Sequence, residues 1–440
     1  MLFISIIIIS ILTVFNYTIA EKKITYPPFI FCAIWLVVMI ARILFTQFYL
    51  KDLFPLHWDT YLLFIAGCLV ATIAGYISLL QYSFSGISNG IANRSNKIEN
   101  EIIHSDLSFY VRLGLIGLCI IIFPLFVKYL IEVVLPGEVE NVFKSIRYET
   151  AVNNVGFGMY SYMVTLSCFV GLFSGYVYWQ NKTKKNKFIY IIALVISILY
   201  AFATMGRSPI LMAISLNLAM FLVNNQKVKV KQFILPLLVF IFIFLGVGIL
   251  LDKGGSVNSS LTENADASVE TFVEYLLTPM NAIDRVLHQP LLVHEEGRRT
   301  LRFFYVVGHA LGINNANLND FDIVDSFIFV PYPVNVYTLY NPYVRDFGAL
   351  YSLLWIFIFM FIHSNAFMKL KYSTKVFLPR IIYSFMFFPL VMVLFNDQYI
   401  SLLSTWIQLL LIVGVIYFIF WCKVKGVIYF FLPVRTKMQQ

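Results

Sequence analysis

The chain has 440 residues, of which 60% are hydrophobic and only 12% charged, with a mean hydropathy of +0.81. A soluble domain is about half apolar and a quarter charged, so this balance excludes a free cytosolic enzyme and an ordinary secreted protein and marks a multi-pass membrane protein. The excess of 32 Lys and Arg over 23 Asp and Glu points first to cytoplasmic loops, and no recognition helix, RNA-binding motif or basic aromatic stripe argues for nucleic acid.

A membrane span needs about 20 mostly apolar residues. Eleven such segments follow one another at 2–20, 28–48, 60–80, 108–131, 156–179, 188–205, 209–223, 233–251, 347–365, 377–395 and 400–421. Hydrocarbon offers no partner to an open backbone, so these segments read as helices. The first, MLFISIIIISILTVF, has no positive residue before it and is followed by Lys22 and Lys23. That order predicts a retained span rather than a cleaved leader. The chain thus divides into spans at 1–251, a large loop at 252–346, further spans at 347–421 and a tail at 422–440.

Basic residues set the expected orientation. Short segments around Lys22, Arg94, Lys184, Lys229, Lys371 and Lys423 hold eighteen Lys and Arg, against about ten on the other side. This bias places the N-terminus outside and the C-terminus inside. Arg42, Arg112 and Arg380 lie near span ends, where a long side chain can snorkel to the interface. The five cysteines, Cys32, Cys68, Cys119, Cys168 and Cys422, fall in or beside apolar runs. No disulfide framework and no zinc spacing are expected.

The 252–346 loop holds twelve of the 23 acids. Its opening, GGSVNSSLTENADAS, reads as a flexible linker. Val269, Phe272, Val273, Leu276, Leu277 and Met280 then follow helical spacing. Such a helix lies in the membrane interface or caps the spans.

Four groups of residues carry possible chemistry. In Met205-Gly206-Arg207-Ser208-Pro209, Gly206 permits a turn, and Ser208 and Pro209 suit a helix start. The amides of that start beside Arg207 make either an anion site or a plain hairpin with an interfacial arginine. Arg298-Arg299-Thr300-Leu301-Arg302, with Arg285 nearby, puts positive charge against the orientation bias. Arginine forks suit a pyrophosphate, and pairing with Glu295 and Glu296 is the alternative. The Pro331–Gly348 stretch offers Asn335, Tyr337, Tyr340 and Tyr343 as sugar platforms. Within it, Asp346 reads either as a helix cap or as the carboxylate that takes a proton from a hydroxyl nucleophile. His309 reads as a base or as a buried, hydrogen-bonded histidine. No HExxH, Walker or GxSxG motif is present, and a mechanism without metal or other cofactor is expected.

These residues, in this order, resemble the O-antigen or oligosaccharide repeat-unit polymerases of bacteria, the Wzy type. The resemblance rests on many spans with one large loop in the C-terminal half, on Asn335-Val336-Tyr337-Thr338 followed by Asp346-Phe347-Gly348, and on Gly206-Arg207. Tyr275 with Thr278-Pro279 is a looser match. It implies a GT-C-like, metal-independent glycosyltransferase of the inner membrane. Such an enzyme moves the growing chain from undecaprenyl pyrophosphate to the non-reducing end of the next lipid-linked repeat, on the periplasmic face. In that scheme Arg207 and the Arg298, Arg299 and Arg302 group stabilise the leaving pyrophosphate, with Arg285 a further substrate contact. Asp346, or else His309, handles the acceptor proton, and the tyrosines and Asn335 hold sugar rings. The implied partners are membrane lipid, a flippase, a chain-length regulator and a ligase. Two rival readings are the O-antigen ligase and, from a different class, a flippase for the same lipid-linked sugar. A flippase predicts repeated halves and polar residues deep in several spans.

Overall fold

The computed structural model describes residues 1–84, 92–134, 145–146, 149, 157–225, 261–289, 297–313, 327–372 and 377–427. Among them the regular structure is helical apart from one hairpin of two two-residue strands and an isolated bridge between Thr338 and Asn396. Among the described residues, eight helices precede the large loop: α1 (Leu2–Ile19), α2 (Pro27–Thr46), α3 (Trp58–Phe84), α4 (Ala92–His104), α5 (Asp106–Val134), α6 (Tyr160–Gln180), α7 (Lys184–Ala203) and α8 (Arg207–Asn224). The loop contributes α9 (Leu261–His288), α10 (Arg302–Ala310), the strands β1 (Ile328–Phe329) and β2 (Pro333–Val334), and the short α11 (Asn341–Phe347). Then come α12 (Ala349–Tyr372), α13 (Phe377–Met392) and α14 (Leu403–Val424).

Nine of the described helices, α1, α2, α3, α5 to α8, α12 and α14, are long and apolar enough to cross a membrane, and α13 is a shorter apolar helix. They coincide with ten of the eleven expected spans. The expected span at 233–251 lies outside the described residues. All five cysteines are free and buried.

The interior consists of three apolar clusters. One joins α1, α2, α3, α8, α9, α11, α12 and α13; a second joins α4, α6, α7, α8, α13 and α14; a third joins α5, α6 and α7. α12 runs along α3, where Asn365 donates to Ser78 Oγ at 3.1 Å and Ser78 donates to the Phe361 carbonyl at 3.3 Å. The expected apolar stripe of the loop belongs to the longer helix α9. Its Val273, Leu277 and Met280 are buried in the first cluster against α2, α3 and α11, so the helix caps the spans.

The two ends of the bundle differ in charge. At one end, α4 gathers its neighbours. Glu99 accepts the amide of Phe377 at the start of α13. Glu101 pairs with Lys423 of α14 at 2.5 Å, and His104 meets Asn181 between α6 and α7 at 3.3 Å. Lys371 pairs with Glu21 at 2.8 Å, and Lys182, Lys184, Lys185 and Lys187 stand beside Asn181 in the chain. The opposite end carries α9, α10, α11 and the hairpin.

Snorkelling does not describe the three span-end arginines. Arg42 is 4% exposed, Arg112 2% and Arg380 7%. Each head group is held inside the protein: Arg42 on Asn281 and the Phe54 carbonyl, Arg112 on Asn186 and the Ser108 carbonyl, and Arg380 beside Tyr176 and Glu99. A buried guanidinium needs fixed acceptors, and for Arg42 and Arg112 these include a side-chain amide oxygen and a backbone carbonyl each.

A close approach fixes the loop onto α3. Tyr340 is fully buried between Trp35 and Phe64, and its hydroxyl lies 2.0 Å from where a Cβ of Gly67 would stand. Gly67→Ala is therefore expected to lower stability by about 1–3 kcal/mol through overpacking, read as a lower thermal midpoint in detergent. Adding Tyr340→Phe, which removes the clashing oxygen, is expected to recover part of that loss. An unchanged midpoint in Gly67→Ala contradicts the packing described.

Candidate functional site

At the loop end, two polar constellations form around α9 and α11. The first grows from the connection between α2 and α3, which Leu50, Leu53 and Leu56 anchor by burial. This places His57 next to the first turn of α3. The Asp284 carboxylate of α9 meets it: Oδ1 accepts the His57 amide at 2.9 Å and the Thr60 hydroxyl at 2.5 Å, and Oδ2 lies 2.9 Å from His57 Nδ1. A carboxylate at a helix N-terminus faces unpaired amides and a favourable dipole. One turn further along α9, His288 stacks on His57 with ring centres 3.9 Å apart, and its Nε2 lies 3.0 Å from Asp59 Oδ2. Burial opposes charge on His288. The Asp284 carbonyl and the Asp59 and Asp284 carboxylates outweigh it and raise its pKa.

Arg42 and Arg285 frame this group. Arg42 and Asn281 both donate to the Phe54 carbonyl, each at 2.7 Å. Arg285 donates to the Phe329 carbonyl at 2.7 Å and so ties the hairpin to α9. Between them lies a cleft of about 530 Å³, lined by Phe54, His57, Asp284, Arg285, His288 and Phe329 among others.

The second constellation centres on Asp346. It is 3% exposed and stands in α11, not at the start of the next span. Its Oδ2 accepts the Thr300 amide at 2.5 Å and its Oδ1 the Arg299 amide at 3.3 Å. It therefore caps the turn that presents Arg298, Arg299 and Arg302. That turn is closed by Leu301 N–H on the Gly297 carbonyl at 2.7 Å, and Gly297 takes a φ of 81° there. Arg298 is exposed; Arg299 and Arg302 are half-buried. Gly348, at φ 86°, breaks the chain between α11 and α12.

Arg207 is the first residue of α8, with Gly206 at the cap position and no side-chain cap. Ser208 thus lies inside the helix and is not the expected cap. The Arg207 guanidinium sits 4.7 Å over the ring of Tyr275, which joins the start of α8 to α9. His309 is exposed in the last turn of α10.

Three of the four expected sugar contacts have other work. Tyr337 is 1% exposed, and Tyr340 and Tyr343 are 0%. Arg345 lies 5.1 Å over the Tyr337 ring, and Tyr343 stacks on Trp355 at 5.8 Å. The amides of Tyr337 and Thr338 donate to the Phe395 carbonyl, both at 3.0 Å. Tight packing leaves these rings no open face, so they support the loop rather than receive a sugar. Asn335 is half-buried. Sequence reasoning missed the His57–Asp284–His288 group. Asp284 and His288, four apart on one helix, share a face, but nothing in the chain order pairs them with His57. The acids Glu295, Glu296, Asp320, Asp322 and Asp325 and His294 lie outside the described residues.

No protein-family model, no curated protein sequence and no solved structure matches this chain.

If Asp346 holds the arginine turn, Asp346→Asn places an amide where two backbone donors converge. A hydrogen bond to a charged group is worth about 1.5–3 kcal/mol, so exchange of the Arg299 and Thr300 amides is expected to quicken by roughly 10- to 100-fold. Hydrogen exchange read by mass spectrometry on a peptide covering 297–302 checks this. Unchanged exchange contradicts the capping role.

Proposed function

We propose that the chain is an integral-membrane glycosyltransferase of the O-antigen polymerase type. In this reading it joins oligosaccharide repeats carried on undecaprenyl pyrophosphate. What carries the reading is the arginine turn 298–302 held by buried Asp346, at the same end of the bundle as Arg285 and Arg207, both of which α9 contacts or carries. A phosphate-linked leaving group develops negative charge, and pre-set guanidinium groups stabilise it without rearranging. The motif resemblance at Asn335–Thr338 and Asp346–Gly348 supports the same family.

The lysine-rich end is assigned to the cytoplasm by the short-loop charge bias. The arginine end then faces the periplasm, where lipid-linked repeats are joined. The exposed apolar flanks of the spans, such as Ile121 of α5 and Leu411 of α14, face lipid, and the polyprenyl tails lie among them. Arg207, at a helix N-terminus, and Arg298, Arg299 and Arg302 bind the pyrophosphate. Both Asp346 oxygens accept backbone amides, so Asp346 positions this turn. His309, exposed on α10, remains the group that takes the acceptor proton. Arg285 and Asn335 line the path of the sugar chain.

The test is complementation of a deletion strain, read as the size pattern of surface polysaccharide. The deletion is expected to leave single repeats, and the gene to restore the ladder. Arg207→Ala and Arg302→Ala, made at normal levels, are each expected to cut polymerisation by roughly 10²- to 10³-fold. Normal ladders from both variants overturn the arginine assignment. Loss of even the single repeat in the deletion strain overturns the polymerase reading, with lipid-linked repeats on the inner face meaning a flippase and on the outer face a ligase.

A further inference from the structure

The cluster of His57, Asp284 and His288 takes no part in the reading above, yet among the described residues it gathers three metal-ligand side chains at the loop end. One ligand-type atom from each residue lies within 4.8 Å of the other two. The two parts come from opposite sides of the sequence, His57 from the start of α3 and the other two from one turn of α9.

We propose that His57, Asp284 and His288 bind one divalent transition-metal ion of the zinc class, which clamps α9 to the start of α3. The donor set is two imidazole nitrogens and one carboxylate oxygen, the set that borderline ions prefer. Zinc bonds to nitrogen and oxygen are about 2.0–2.2 Å, which in a tetrahedral site separates ligand atoms by roughly 3.3 Å. His57 Nδ1 and Asp284 Oδ2 are 2.9 Å apart, so a few tenths of an ångström of opening admits an ion. The carboxylate is already immobilised by the His57 amide and the Thr60 hydroxyl on Oδ1. The Oδ2 atom points at His57. His288 Nδ1 lies 2.7 Å from the Asp284 carbonyl and its Nε2 3.0 Å from Asp59 Oδ2; the nitrogen that turns to the ion gives up one of these contacts, and the other orients the ring.

The charges agree with this assignment. Two imidazole rings stacked at 3.9 Å repel one another when both are protonated. A single dication bound to neutral rings removes that repulsion and neutralises Asp284 and Asp59 together. Three protein ligands leave one position to water, and the His57 side chain is 59% exposed toward the cleft. The ion then has a structural consequence. It fastens the described helix of the large loop onto the bundle at the point where Arg42 and Asn281 share the Phe54 carbonyl. It is needed neither to hold Arg207 nor to hold the arginine turn.

The test uses full-length protein in detergent, with affinity tags removed and metal stripped. Zn(II) titrated by calorimetry is expected to bind at one equivalent and to raise the thermal midpoint. Co(II) is expected to give the intense visible bands of a four-coordinate site. His57→Ala and His288→Ala are each expected to weaken Zn(II) binding by about 100-fold or more, and Asp59→Asn by about 10- to 100-fold. His104→Ala, at the other end of the bundle, is expected to bind as the parent does. Size exclusion verifies that each variant is folded; if an alanine variant fails it, His57→Gln and His288→Gln give the same readout. Absence of stoichiometric binding, or parental binding in both histidine variants, overturns the proposal. Metal binding is read here without sugar transfer, so its failure leaves the polymerase reading standing, and failure of that reading leaves the metal site testable.

Discussion

Hydrocarbon cannot hydrogen-bond a peptide group, and most of the architecture follows from that. Each apolar stretch must satisfy its own amides and carbonyls, so each becomes a helix. Charged side chains are then gathered near the helix ends. The chain uses the two ends differently. One is closed by lysines and by α4, whose Glu99 holds the start of α13 and whose Glu101 holds the end of α14. The other is closed by a loop rich in Arg, Asp and His, whose helix α9 packs its apolar face into the largest cluster of the bundle. Chemistry on a soluble substrate headgroup belongs at such an end.

The loop end is held by backbone hydrogen bonds where arginines are presented. Backbone amides make these contacts: Asp346 takes two of them from the arginine turn, Asp284 takes one from the start of α3, and the Phe395 carbonyl receives those of Tyr337 and Thr338. These carboxylates have their oxygens occupied by backbone and hydroxyl donors. They are better suited to fixing a neighbour than to exchanging protons with a substrate. The same economy explains the buried tyrosines, which wedge the loop against Trp35, Phe64 and Trp355. Positively charged side chains are left at the surface of this scaffold, set by backbone rather than by pairing alone.

Helices were the legible part of the sequence. Period and length of apolar runs are local properties, and ten of the eleven expected segments coincide with described apolar helices. The stripe of α9 was visible for the same reason. Side-chain roles were less legible because they depend on distant partners. Asp346 stands next to a span in the chain, yet its contacts are 46 and 47 residues away. His57 and Asp284 meet across 227 residues, and no spacing rule links them. Tyr340 looked like a sugar platform by type, and only the close approach of Gly67 reveals it as packing. α4 was hidden because its polar composition resembles a loop, while its Ile98, Ile102 and Ile103 are buried against neighbouring helices.

The account stands or falls on glycosyl transfer at the arginine end. Its most direct measurement is reconstitution of the purified chain in vesicles with a polyprenyl-pyrophosphate-linked oligosaccharide supplied to the arginine side. Mass spectrometry of the products is expected to show lipid-linked dimers and longer chains, with one polyprenyl pyrophosphate released for each linkage formed. Oligosaccharide that stays at a single repeat, or that crosses the bilayer unchanged, contradicts the account.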